Sequence, residues 1–135
     1  MKTARYIFLF ALLSILIASV SCQKGGGGTG EANLVVETFP VADGHVESPA
    51  PGPNFPLRVT ITSAMPTGGV KIDVTAKPDG GTVAFFTSSV TTSSPATDFS
   101  ITGSTAGIMS VVNITVTSVS TSSNTWSGSY KYSRK

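Results

Sequence analysis

Residues 57–63 read Leu-Arg-Val-Thr-Ile-Thr-Ser and residues 70–77 read Val-Lys-Ile-Asp-Val-Thr-Ala-Lys. In both runs nearly every second side chain is apolar, and those between are charged or hydroxylic. Successive side chains of an extended chain point to opposite faces, so a period of two describes strands with one buried and one wet face. This alternation is the strongest constraint on the fold, because a helix would scatter the same apolar residues around its circumference. From residue 34 onward no stretch keeps a helical period, and Pro or Gly interrupts most candidates.

Punctuation then divides the chain. Lys77-Pro78-Asp79-Gly80-Gly81 is a turn sequence: Pro78 presets the first corner, Asp79 suits the second, and Gly80 takes a positive φ. Residues 82–88 are therefore expected to return antiparallel to 70–77. Further strands are expected at 34–39, 99–101, 108–119 and 125–133, which makes seven with 57–63, 70–77 and 82–88. The expected core is Val36, Leu57, Val59, Ile61, Val70, Ile72, Val74, Phe85, Phe99, Ile101, Val112, Ile114, Val116, Trp126 and Tyr130. Each such side chain, fully buried, contributes roughly 1.5–3 kcal/mol before conformational entropy is subtracted.

Seven short strands at this spacing argue for an all-β, antiparallel two-sheet sandwich over residues 34–135. Their order and the short hairpin at 77–82 resemble the immunoglobulin-like and fibronectin type III-like domains of bacterial surface proteins. The cysteine pair of antibody domains is absent. A jelly-roll fragment or another small sandwich fits the same pattern.

The N-terminus is organised differently. Lys2 and Arg5 precede an apolar run over 7–20 broken only by Ser14 and Ser19, the build of an export signal. The run is shorter than the roughly 20 residues a membrane span needs. Ser19-Val20-Ser21-Cys22 follows, containing the single cysteine of the chain. These residues resemble the lipobox of bacterial lipoproteins, with Ser19 where that family favours Leu. The resemblance implies a signal peptide over 1–21, cleavage before Cys22, and lipidation of Cys22 by diacylglyceryl and acyl groups. Two or three chains make such an anchor effectively permanent, whereas one does not. Gln23 after the cysteine implies outer-membrane sorting in a Gram-negative envelope, with the inner or outer face left open. Residues 22–33, with Gly25–Gly28 and Gly30, are expected to form a flexible tether of about 18 Å mean span.

Charge narrows the partners. The chain has 9 Lys+Arg against 7 Asp+Glu, and losing Lys2 and Arg5 leaves 7 against 7. A neutral chain offers no electrostatic attraction for nucleic acid. One cysteine and one histidine exclude a disulfide framework and a cysteine–histidine zinc site. The seven carboxylates show no pairing suited to glycoside hydrolysis, and no Gly-x-Ser-x-Gly turn occurs, so no catalytic residues and no cofactor are expected.

Two clusters stand out. Asp43, His45 and Glu47 fall on one side of an extended segment and are weak candidates for a surface metal site, against the plainer reading of a solvated loop. Trp126, Tyr130 and Tyr132 share one side of the final strand and are candidate ligand contacts, as in carbohydrate-binding modules. The opposite side, Thr125, Ser127, Ser129 and Lys131, cannot form a core, so the aromatics are expected to face inward, with Tyr132 partly exposed. The loops at 41–55 and 63–69 are the expected contact surfaces. Together these features imply a lipid-anchored, non-enzymatic binding, adhesion or assembly module with an unknown protein or glycan partner. A periplasm-facing accessory of an envelope complex and a carbohydrate-binding module are the alternatives.

Overall fold

The structure, a computed structural model, describes residues 30–135. The expected signal peptide, Cys22 and most of the tether lie outside the described residues. Within them the chain is all-β and contains no helix, with its strands in two sheets. The first sheet has the order β1 (Val36–Phe39), β3 (Phe55–Ile61), β6 (Ala96–Ile101). The second has the order β2 (Asp43–Val46), β8 (Thr125–Ser133), β7 (Met109–Ser118), β4 (Val70–Pro78), β5 (Phe86–Thr92). Every pairing is antiparallel except β2 with β8, which is parallel.

The alternation in sequence becomes alternation in burial. Leu57, Val59 and Ile61 of β3 face Val70, Ile72, Val74 and Ala76 of β4 and Val112, Ile114 and Val116 of β7 in one apolar cluster between the sheets. Thirteen of the fifteen expected core residues are buried, and Phe85 and Trp126 pack against the cluster from partly exposed positions. Leu34, Ala50, Phe55, Ala76 and Tyr132 complete it.

Three expectations need correction. There are eight strands rather than seven, because residues 43–46, expected as loop, form β2 beside β8. The segment continues along β8 beyond the strand. The Glu47 amide donates to the Lys131 carbonyl (2.7 Å) and the Ala50 amide to that of Ser133 (2.8 Å). Half of the expected 41–55 contact loop is thus strapped to the sheet. The strand following the Pro78 turn is β5 at 86–92, not 82–88; its partner is β4 as expected, but Val83 is exposed and residues 79–85 form the connection. The last residues of the tether are also held. Asn124 Nδ2 donates to Glu31 Oε1 (2.6 Å), and Ser120 Oγ donates to Glu31 Oε2 (3.0 Å).

The strands give the sandwich two distinct ends. Glu31 and Leu34 meet the 118–124 turn, and Val119 donates to the Gly69 carbonyl, so the 62–69 loop shares that end. At the opposite end Asp79 donates to Met109, Gly107 to the Arg134 carbonyl, and Lys135 to Ala50.

Candidate functional site

His45 lies at the outer side of the second sheet, on β2. Residue 44 is a glycine with φ +88°, and the Asp43 carboxylate accepts from the His45 amide at 3.1 Å. This local turn brings Asp43 Oδ1 to 2.5 Å from His45 Nδ1 while Glu47 Oε1 sits 2.6 Å from Nε2. The structure therefore gathers the three residues whose period-two spacing suggested a common side. Glu47 first, and then Asp43, push the imidazole above its ordinary pKa, while the His45 amide and ring hold Asp43 below the usual carboxylate range. With a carboxylate oxygen within hydrogen-bond distance of each ring nitrogen, both nitrogens are engaged in this arrangement. Among the described residues, no group of three or more His, Cys, Asp or Glu side chains is arranged to hold a metal ion. The cluster is a clamp holding β2 in its local shape.

Three other carboxylates are engaged separately. Arg58 forks onto Asp98 (Nε–Oδ1 2.7 Å, Nη2–Oδ2 2.9 Å), Lys131 Nζ meets Asp79 Oδ2 at 2.8 Å, and Lys71 Nζ meets Asp73 Oδ2 at 3.2 Å. A hydrogen bond from Ser89, with a smaller contribution from Lys71, keeps Asp73 below the usual range, and Arg58 does the same for Asp98.

The aromatic side of β8 faces inward. Tyr130 and Tyr132 are both 0% exposed, so neither offers a face to a surface ligand, and Tyr132 is not the partly exposed residue expected. The reason is Phe55, which the proline-rich segment folds over the strand end. Its ring stacks on Tyr132 at 4.2 Å between centroids and lies 5.7 Å from Tyr130. Burial pushes both phenols up, with Ser104 beside Tyr132 pulling that phenol the other way, and neither hydroxyl has a partner in good hydrogen-bond geometry within the protein. Trp126 alone keeps a partly exposed face. Its indole lies over Gly128, where an added Cβ would come 2.6 Å from Cη2 of Trp126 and 2.7 Å from the Ala42 carbonyl oxygen. Val36, Thr38, Val41 and Ala42 complete a groove of about 250 Å³ around this indole, at the place where the chain changes sheets.

The strongest surface feature escaped the sequence. On the outer face of the first sheet, Phe39, Arg58 and Asp98 stand side by side, since Phe39 pairs with Arg58 across β1 and β3 and Arg58 with Asp98 across β3 and β6. With Pro56, Leu57 and Phe99 they line a groove of about 400 Å³. Phe39 is 74% exposed, an unusual position for a phenylalanine. One signal was present: Val36 and Thr38 inward put Phe39 outward by simple parity. The Arg58–Asp98 fork required knowledge of which strands pair.

Comparisons with protein-family models, with curated proteins and with solved structures return no match. Geometry and sequence pattern alone carry the functional reading.

Proposed function

We propose that this protein is a lipid-anchored envelope module whose folded part is an immunoglobulin-like sandwich acting in binding, adhesion or assembly rather than catalysis. The observation that carries the reading is the position of Cys22. It follows an apolar run and small residues, and Glu31, the first residue bonded into the sandwich, lies nine positions later (31 − 22). A thioether-linked lipid there would tether the domain by its first mature residue without a spanning helix.

The strand order supports the immunoglobulin-like part. Sheets β1-β3-β6 and β8-β7-β4-β5 place the first, third and sixth strands of the chain opposite the eighth, seventh, fourth and fifth. Allowing for the extra β2, this is the A-B-E against G-F-C order of such domains, with the strand after C moved to the second sheet. The non-enzymatic part is supported by the chemistry of the site. Both nitrogens of the single histidine are committed to carboxylates, and Asp73, Asp79 and Asp98 each bond a different cation. The groove beside Phe39 and the Arg58–Asp98 fork is the contact surface this reading favours for a protein or glycan partner. A carbohydrate-stacking row on β8 is disfavoured by the burial of Tyr130 and Tyr132.

The test is metabolic labelling with radioactive palmitate in a Gram-negative host, followed by fractionation of wild-type and Cys22→Ser chains. Label and membrane association in the wild type, both lost in Cys22→Ser, are expected. Equal membrane association of the two chains would refute the anchor. Protease digestion on intact and lysed cells then reads which side of the membrane the sandwich faces.

A further inference from the structure

Strand β5 is the outermost strand of the second sheet and pairs only with β4. Its register runs without a shift from Val70↔Thr92 to Ala76↔Phe86, leaving the other edge of seven residues open. That edge reads Phe-Thr-Ser-Ser-Val-Thr-Thr, with no charge, no proline and no glycine.

The other outer strands are each protected. Strand β1 has four residues and stops at Pro40. Strand β2 also has four; it carries Asp43 and His45, and its register shifts between Asp43 and Val46. Strand β6 follows Pro95 and bears Asp98, held by Arg58. Charges, prolines, short length and irregular register are the devices that keep an edge from recruiting another strand. Only β5 among the four lacks them all.

We propose that β5 pairs antiparallel with β5 of a second copy about a twofold axis through Ser89, joining two five-stranded sheets into one of ten (5 + 5). The sequence is complementary to itself in this register. Thr87 meets Thr91 twice, a favourable cross-strand pair, and Ser89 meets its own copy. On the inner side the half-buried Phe86 meets Thr92 and Val90 meets Ser88, so each larger side chain is set beside a smaller one. No like charges meet, because the strand has none. A twofold interface uses each of these pairings twice, the Ser89 pair on the axis excepted, which an unrelated strand would not. The inference stands independently of the anchor and of the Phe39 groove.

The test uses the full chain as cells produce it, under mild oxidation, with covalent dimer counted only above that of the parent chain. Directly opposed residues of an antiparallel pair have Cα atoms about 4.5–5.5 Å apart, within disulfide range, so Ser89→Cys should give a covalent dimer. The parent chain, with Cys22 alone, and Glu37→Cys on β1 should not. Two charge variants are then added to Ser89→Cys. Thr87→Glu with Thr91→Glu sets like charges opposite each other twice, and Thr87→Lys with Thr91→Glu sets opposite charges there. Thr91 neighbours Lys71 and Thr87 neighbours Thr75 within one subunit, so both variants keep their own fold. The expected result is at least tenfold less cross-linked dimer in the first variant and full cross-linking in the second. Cross-linking from Ser89→Cys no greater than from Glu37→Cys, or equal cross-linking in the two charge variants, would overturn the proposal.

Discussion

Gly128→Ala sets two opposed effects against each other at one atom. Replacing glycine in a strand normally stabilises by about 0.5–1 kcal/mol, because alanine loses less conformational freedom on folding. Here the new Cβ would lie 2.7 Å from the Ala42 carbonyl oxygen, 2.8 Å from the Ala42 Cβ and 2.6 Å from Cη2 of Trp126. The indole has some room to move, but the Ala42 backbone leads directly into β2 and is tied by its amide to Thr38 Oγ1 at 2.8 Å. Forcing an extra carbon into such a contact costs about 1–3 kcal/mol. The net expectation is a loss of about 0.5–2 kcal/mol, read as a fall of roughly half to one molar in the urea midpoint at unchanged slope. Fluorescence of Trp126, the single tryptophan, follows the transition and should also shift to the red as the indole is displaced. Gly52→Ala is the control, since a Cβ there meets nothing within 4 Å; it should be neutral or slightly stabilising. A Gly128→Ala midpoint equal to or above wild type would refute the close packing of residue 42 on β8.

Other consequences are quickly checked. Ile72→Asp places a charge at a 1% exposed position facing the core and should abolish folding, whereas Lys71→Thr on the wet face should barely move the thermal midpoint. Tyr132→Phe keeps the stack on Phe55 and deletes a hydroxyl with no protein partner, so stability should be unchanged or raised; a loss above about 1 kcal/mol would show that the hydroxyl is bonded. The His45 clamp is pH-dependent. Because the folded-state pKa of His45 is raised from 6.5, its contribution is complete below that value and is lost as pH rises through the raised pKa. Asp43 is lowered from 3.8, so its contribution is present above that value and is lost as pH falls through the lowered pKa. The protection factor of the Glu47 amide, its exchange rate corrected for the intrinsic rate at each pH, should therefore be highest in mildly acidic solution and fall as pH rises through the raised His45 pKa, and His45→Ala should flatten that profile.

The sequence made the central strands legible because they are buried on one face only. Leu57 to Ile61, Val70 to Ala76 and Val112 to Val116 alternate in burial as they alternate in polarity. Strand β2 was hidden because Asp-Gly-His-Val has no apolar face of its own; it is a strand only because β8 lies alongside, and that pairing is nonlocal. The β5 boundary was misplaced because Val83 and Phe85 imitate the alternation, while the connection after Pro78 is longer than a tight turn and leaves Val83 in solvent. Tyr132 was judged by its place near the strand end, but Phe55 comes from more than seventy positions away (132 − 55 = 77) to cover it. The groove at Phe39 was invisible for the same reason, since three strands must meet before Arg58 finds Asp98.

The opposed ends of the sandwich turn a tether into a display geometry. The 63–69 loop, an expected contact surface, shares the end of the sandwich where Glu31 enters, so any anchor at Cys22 would attach beside it. Residues 50–54, 79–85 and 102–108 crown the other end, raised by the length of β8, nine residues or about 30 Å. A peptide tag inserted at 80–82 would lie at the end of the sandwich far from the point of attachment, and one at 66–68 would lie beside it. Shortening the glycine run would then crowd the second tag before the first.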